Sequence, residues 1–116
     1  MSIKRIKGIY RGRSAAVVRD GVVHAVATDT SSAAGIVDQT RTTLETLEEL
    51  LNEAGSSKQG LIQATVYLAD ISMKAEMDAV WCDWVGDEEC WPQRACIGVD
   101  LAGDTLVEIV LTAEVA

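Results

Sequence analysis

The sequence predicts an α+β domain in which one sheet of about six strands carries two helices on one face. Three patterns predict it. Apolar residues recur at helical spacing over 36–51 and again over 77–85, they alternate with polar ones over 61–68 and 105–115, and the elements run strands, helix, strand, helix, two strands. A chain of 116 residues that is 48% apolar can bury one core without disulfides or a metal, so a single domain over 1–116 is expected.

The stretch 3–10 alternates loosely and supplies a first strand. Ser14 to Arg19 and Val22 to Ala27 flank Asp20-Gly21, a pair suited to the tight primed turn of a hairpin because both central residues need positive φ. Asp29, Thr30, Ser31 and Ser32 offer capping side chains, after which Ile36, Val37, Thr40, Leu44, Leu47 and Leu51 form a helical stripe up to Gly55. The opposite side of that helix carries Asp38, Arg41, Glu45, Glu48, Glu49 and Glu53 and reads as a solvated face.

Ile62, Ala64, Val66 and Leu68 then share one strand face, with Gln63, Thr65 and Tyr67 on the other. Ser72 caps a second helix whose stripe is Met77, Val80, Trp81, Trp84 and Val85, ending at Gly86, and its tryptophans read as core. After an acidic loop, strands are predicted over 94–99 and 105–115 across a turn at 100–104. In the last strand Val107, Ile109, Leu111, Ala113 and Val115 face one way, and Leu106, Glu108, Val110, Thr112 and Glu114 the other. Two helices cover one sheet face only, which leaves Val110 and Leu106 uncovered and points to a homo-oligomer that buries them.

The net charge of −8 repels phosphate backbones, so nucleic acid is not an expected partner. The cations near the start, from Lys4 to Arg13, read as solvated strand charges or as help in holding an anion. Cys82, Cys90 and Cys96 are odd in number and lack CxxC spacing, and His24 is the one histidine, so neither a zinc site nor a disulfide is expected. Without an apolar leader or a long apolar run, the expectation is a cytoplasmic chain with no membrane segment. No nucleotide-loop, hydrolase-elbow or metalloprotease motif occurs.

The chemical interest lies in Trp91-Pro92-Gln93-Arg94-Ala95-Cys96. Pro92 lacks an N–H and marks the start or edge of a strand. Arg94 and Cys96 are two apart and share a face; Ala95, Ile97 and Val99 are expected to face the helices, leaving Arg94 on the sparsely covered side with a planar fork for a carboxylate. The alternative is a structural salt bridge with Glu108 or Asp78. Glu108, a mid-strand carboxylate among apolar neighbours, reads as an edge-protecting charge or a water-orienting group. Cys96 has no base assigned to it and reads as a packed thiol rather than a nucleophile.

The stretch Trp91-Pro92-Gln93-Arg94-Ala95-Cys96-Ile97-Gly98-Val99, followed by Leu106-Val107-Glu108-Ile109, resembles the aromatic-Pro-x-Arg-x-Cys-x-x-Val segment and closing Val-Glu-Ile strand of the RidA/YjgF family. Gln39-Thr40-Arg41, Leu51-Asn52-Glu53-Ala54-Gly55 and Gln63 to Asp70 extend the likeness in order over roughly residues 20 to 115, and the chain looks like the compact YoaB-like branch.

The resemblance implies a chorismate-mutase-like fold, a homotrimer with ligand sites between subunits, and a cofactor-free, metal-free reaction. In that reaction water adds to the C=N carbon of a small 2-imino acid, in equilibrium with its enamine, and the adduct collapses to a 2-oxo acid and ammonia. The implied catalytic residues are Arg94, which clamps the substrate carboxylate, and Glu108 on the neighbouring strand, which handles the water. Cys96 is implied to bind through its backbone N–H, with the backbone of Ala27 and the side chain of Thr28 on the opposing wall. The family's Ser-Gly-Gln is replaced by Val26-Ala27-Thr28, its second-helix Asn by Asp78, whose carboxylate opposes an anionic substrate, and its N-terminal Tyr has a loose counterpart in Tyr10, with Arg11 or Arg13 able to reach the pocket instead. The rival reading is a non-enzymatic module of the same fold that binds 2-oxo acids or a protein partner.

Overall fold

A computed structural model describes residues 2–116. Six strands form one mixed sheet in the order β1-β2-β3-β6-β4-β5, where β1 is Lys4–Lys7, β2 Ser14–Arg19, β3 Val22–Thr28, β4 Leu61–Leu68, β5 Gln93–Gly98 and β6 Val107–Glu114. Helices α1 (Ile36–Glu53) and α2 (Lys74–Val85) pack on the same face, and the resulting slab measures 42 × 36 × 20 Å. Among the described residues, no helix is long and apolar enough to cross a membrane.

The hairpin forms as its turn chemistry requires. Asp20 and Gly21 have φ of 53° and 77°, and Arg19 pairs with Val22 directly across them. β6 inserts between β3 and β4, antiparallel to both, so Ala25, Leu111 and Ala64 lie side by side in a buried row. β4 and β5 run parallel, joined by the α2 crossover that a parallel pair needs.

On the helix side Leu44, Leu47 and Leu51 of α1 meet Met77, Trp81 and Val85 of α2 and the inward rows of the sheet. Each such leucine withdrawn from water stabilises the fold by on the order of 2 kcal/mol.

Several local expectations are corrected. Helix α1 starts later than the cluster Asp29 to Ser32 suggests: Gly35 is its N-cap, without a side-chain bond. Asp29 instead closes its own turn, accepting from Ser31 N, Ser31 Oγ, Ala33 N and Thr42 Oγ1 at 2.6–2.8 Å. Val37 lies outside the buried stripe, and Gln39 lies within it, tying α1 to the 104–106 segment through Asp104 O and Leu106 N. Leu106 packs against the core instead of lying uncovered, and β6 begins at Val107, two residues past the expected start at 105. Asp70, not Ser72, caps the turn before α2, accepting from Ser72 N. Ile62 is exposed because the β4–β6 register shifts between Leu61 and Gln63.

Candidate functional site

The first candidate locus is built on β5, the outermost strand. Its register with β4 aligns Arg94 with Ala64 and Cys96 with Val66, both fully covered by the helices, so Arg94 and Cys96 point to the helix side. This reverses the expected facing. Ala95 and Ile97 align with Thr65 and Tyr67 and look onto the open face, where Ile97 is 44% exposed, as is Val99 just past the strand. The apolar trio misleads because α2, the helix that meets this edge, presents a carboxylate, a thioether and an indole to it, a lining that suits a guanidinium.

The contacts bear this out. Arg94 Nη2 lies 2.7 Å from Asp78 Oδ1, its Cζ stands 5.3 Å from the Trp81 ring centroid, and Nη1 is 3.9 Å from Met77 Sδ. The other carboxylate oxygen, Asp78 Oδ2, takes Lys74 Nζ at 2.7 Å. Of the two salt-bridge partners read from the sequence, Asp78 is the one observed. Lys74 was not singled out, although its i,i+4 spacing to Asp78 was legible.

Desolvation pushes the Asp78 carboxyl up, but hydrogen bonds from Lys74 and Arg94 and the charge of both outweigh it and hold the group below the ordinary range. The Cys96 thiol is pushed up by burial, with the Asp78 charge adding to the rise and Arg94 and Lys74 opposing it. It therefore stays a neutral thiol at physiological pH and is a poor nucleophile.

The backbone of β5 matters as well. Val99 N–H donates to Leu68 O on β4, and N–H groups alternate sides along a strand, so those of Ala95 and Ile97 also point at β4. The N–H groups of Arg94 and Cys96 point away from the sheet, at its open edge. A guanidinium and two outward N–H donors thus converge on one edge, a donor set for a carboxylate or similar anion.

The second locus lies across the sheet. The loop between β1 and β2 carries Tyr10 and Arg13, whose guanidinium stands 4.6 Å from the Tyr10 ring centroid. Both line a pocket of about 180 Å³ together with Lys7, Ala27, Thr28 and Leu50. Thr28 is paired with Glu108 across β3 and β6, and Glu108 is flanked on its other side by Tyr67 of β4. Glu108 is half-buried on the open face and, among the described residues, its side chain makes no hydrogen bond or ion pair. A wider cleft shares Tyr10 and runs past Asp29, Gln39 and Asp104; neither hollow includes Arg94 or Glu108.

The two loci do not meet within one chain. Glu108 is not on the strand next to Arg94: β4 intervenes, so the strands are about 10 Å apart. The two side chains also leave the sheet on opposite faces. Thr28 sits one strand further, about 14 Å from β5. Arg94, Asp78 and Cys96 make one half-site; Tyr10, Arg13, Ala27 and Thr28 line a separate pocket, and Glu108 stands beside Thr28 on the open face, outside that pocket.

Comparison with known proteins gives a consistent picture. The profile described as Endoribonuclease L-PSP matches residues 14–115. A RutC family protein, YoaB of Escherichia coli, is 31% identical over 85 residues, 73% of this chain and 74% of its own length. A RutC family protein of Pyrococcus horikoshii is 39% identical over 75 residues, 64% of this chain. The match spans 58% of that relative's length, and 66% of the length of a similar protein from Haemophilus ducreyi. Among solved structures, a member of the YjgF protein family from Neisseria meningitidis superposes with a TM-score of 0.92 at 31% identity, covering 100% of this chain and 97% of that one.

Proposed function

The chain belongs to the endoribonuclease L-PSP family, the RidA/YjgF proteins, and on that premise we propose that it is a cofactor-free hydrolytic deaminase of small 2-imino acids. The carrying observation is the half-site on β5: a guanidinium held over Trp81 with 19% of its side chain exposed, beside two backbone donors and a thiol that stays protonated. This donor set supports binding of a carboxylate without a protein nucleophile.

In this reading Arg94 and the Cys96 N–H hold the substrate carboxylate, fixing the C=N carbon for attack by water. Glu108 takes a proton from the water as it adds and returns it to the nitrogen as the tetrahedral adduct collapses to 2-oxo acid and ammonia. Because Arg94 and Glu108 leave the sheet on opposite faces, the complete site needs Arg94 from one copy and Glu108 from another. Exposed Ile97, Val99 and Val110 on the open side support an assembly that buries this face, and we take it to be a homotrimer with its sites between subunits. Tyr10, Arg13, Ala27 and Thr28 then form the wall facing Arg94. The free thiols Cys82, Cys90 and Cys96 suit a reducing compartment such as the cytoplasm.

The rival reading, a binding module for 2-oxo acids, draws on Asp78, which already occupies part of the clamp. The family's name mentions ribonuclease activity; a net charge of −8 works against a polyanionic substrate. The test supplies imine with an amino-acid oxidase or a threonine dehydratase and follows 2-oxo acid release. Wild type should accelerate release, and Arg94→Ala should lower kcat/KM by about a hundredfold or more. No acceleration with any imino acid, alongside measurable 2-oxo acid binding, favours the module.

A further inference from the structure

The clamp residue is not free to greet an anion: a carboxylate of the same chain already sits on it. Asp78 bridges Arg94 and Lys74 at 2.7 Å on each oxygen. The cluster holds two cations and one anion and so keeps one net positive charge. Its side chains are 19% exposed for Arg94, 30% for Asp78 and 46% for Lys74, so a small solute reaches all three.

We propose that Asp78 is a charge-selective binding residue of this site, favouring ligands that carry a protonated nitrogen next to their carboxylate over ligands that carry the carboxylate alone. The inference rests on the deaminase reading above and names the form of substrate it takes. A 2-oxo acid brings a single negative charge and must share Arg94 with a fixed carboxylate, which opposes it. A protonated 2-imino acid brings N–H donors on the neighbouring atom, and Asp78 can accept from them while Arg94 holds the carboxylate.

The reaction turns one kind of ligand into the other. Water adds across C=NH₂⁺, the C–N bond breaks, and the products are a C=O group and ammonium, so atoms and charge balance. The organic product has lost the donor that Asp78 recognises, and its release is thereby favoured. A purely structural Asp78 has no such consequence.

The experiment measures binding, not turnover, so it separates this inference from the deaminase reading. Two stable probes are titrated into the full chain: 2-oxobutyrate, and 2-aminobutyrate, whose ammonium group stands in for the protonated imine. Wild type should prefer 2-aminobutyrate. Asp78→Asn should tighten 2-oxobutyrate by about tenfold and weaken 2-aminobutyrate, reversing the order. Lys74→Gln, which leaves Asp78 in place and makes the cluster neutral, should weaken 2-oxobutyrate further and serves if Asp78→Asn does not fold. Arg94→Ala should weaken both probes. If Arg94→Ala weakens both but neither Asp78→Asn nor Lys74→Gln changes their ratio, the selectivity is overturned and the clamp stands. If wild type binds neither probe, or Arg94→Ala changes neither, the clamp and the inference fall together.

Discussion

Arg94 and Asp78 face each other at 2.7 Å where the outer strand β5 meets helix α2. One contact thus fixes the orientation of the guanidinium and fastens the sheet edge to a helix. Both side chains are partly exposed, so as a tie the pair contributes about 1 kcal/mol or less. Arg94→Ala should therefore lower Tm by no more than about 4 °C, to be checked by calorimetry. A loss much larger than that assigns Arg94 to the fold rather than to the ligand.

Glu108 sits between Thr28 and Tyr67 with no partner of its own among the described residues. Glu108→Gln keeps its shape and removes the proton acceptor. Turnover of an imino acid should fall by about 10²-fold in kcat with KM little changed. An unchanged kcat removes Glu108 from the chemistry.

The turn after β3 should be a source of acid sensitivity. Burial pushes the Asp29 carboxyl up, but hydrogen bonds from the Ser31 and Thr42 hydroxyls and from the Ser31 and Ala33 amides prevail and lower it from 3.8 to about 2. A depressed carboxyl stabilises the folded chain above its unfolded pKa, and that contribution is lost as pH falls through the folded one. Stability should thus decline from about pH 4 toward pH 2, in part through this group. Asp29→Ala should cost about 1 kcal/mol at pH 7 and flatten the decline, as urea midpoints across that range will show.

Gly60 precedes β4 where a Cβ would stand 2.5 Å from Glu114 O on β6. The obstacle is backbone, so the strand itself must shift, and Gly60→Ala should destabilise by about 1–3 kcal/mol. Gly35 has nothing within 4 Å and holds the extended N-cap conformation of α1. Gly35→Ser should be neutral or stabilise by a few tenths of a kcal/mol, because serine caps without strain there. Parallel denaturant titrations decide both.

The sequence carried much of this architecture. The Asp20-Gly21 turn, the α1 stripe and the β6 alternation were legible because each is a local pattern with one physical meaning. The helix start was not: Asp29 and Ser31 look like caps, yet they close a turn of their own. The facing of Arg94 was lost for a different reason. Strand periodicity says which residues share a face but not which face meets the helices, and that is settled by the β4–β5 register and by the polar lining that α2 presents. The separation of Arg94 from Glu108 depends on β4 lying between their strands, which chain order alone hides. Lys74 joins the Arg94 cluster through a local i,i+4 pair with Asp78, whereas Trp81 meets Arg94 through a tertiary contact that no short motif encodes.

The proposed mechanism requires that Arg94 and Glu108 act from different copies of the chain. Arg94→Ala and Glu108→Gln, each inactive alone, should be mixed under conditions that let subunits exchange. In a closed ring with sites between neighbours, random mixing restores about a quarter of the sites, so activity should return to about that fraction of wild type. A mixture as inactive as its components, or a wild-type protein that is monomeric at micromolar concentration, contradicts the shared site.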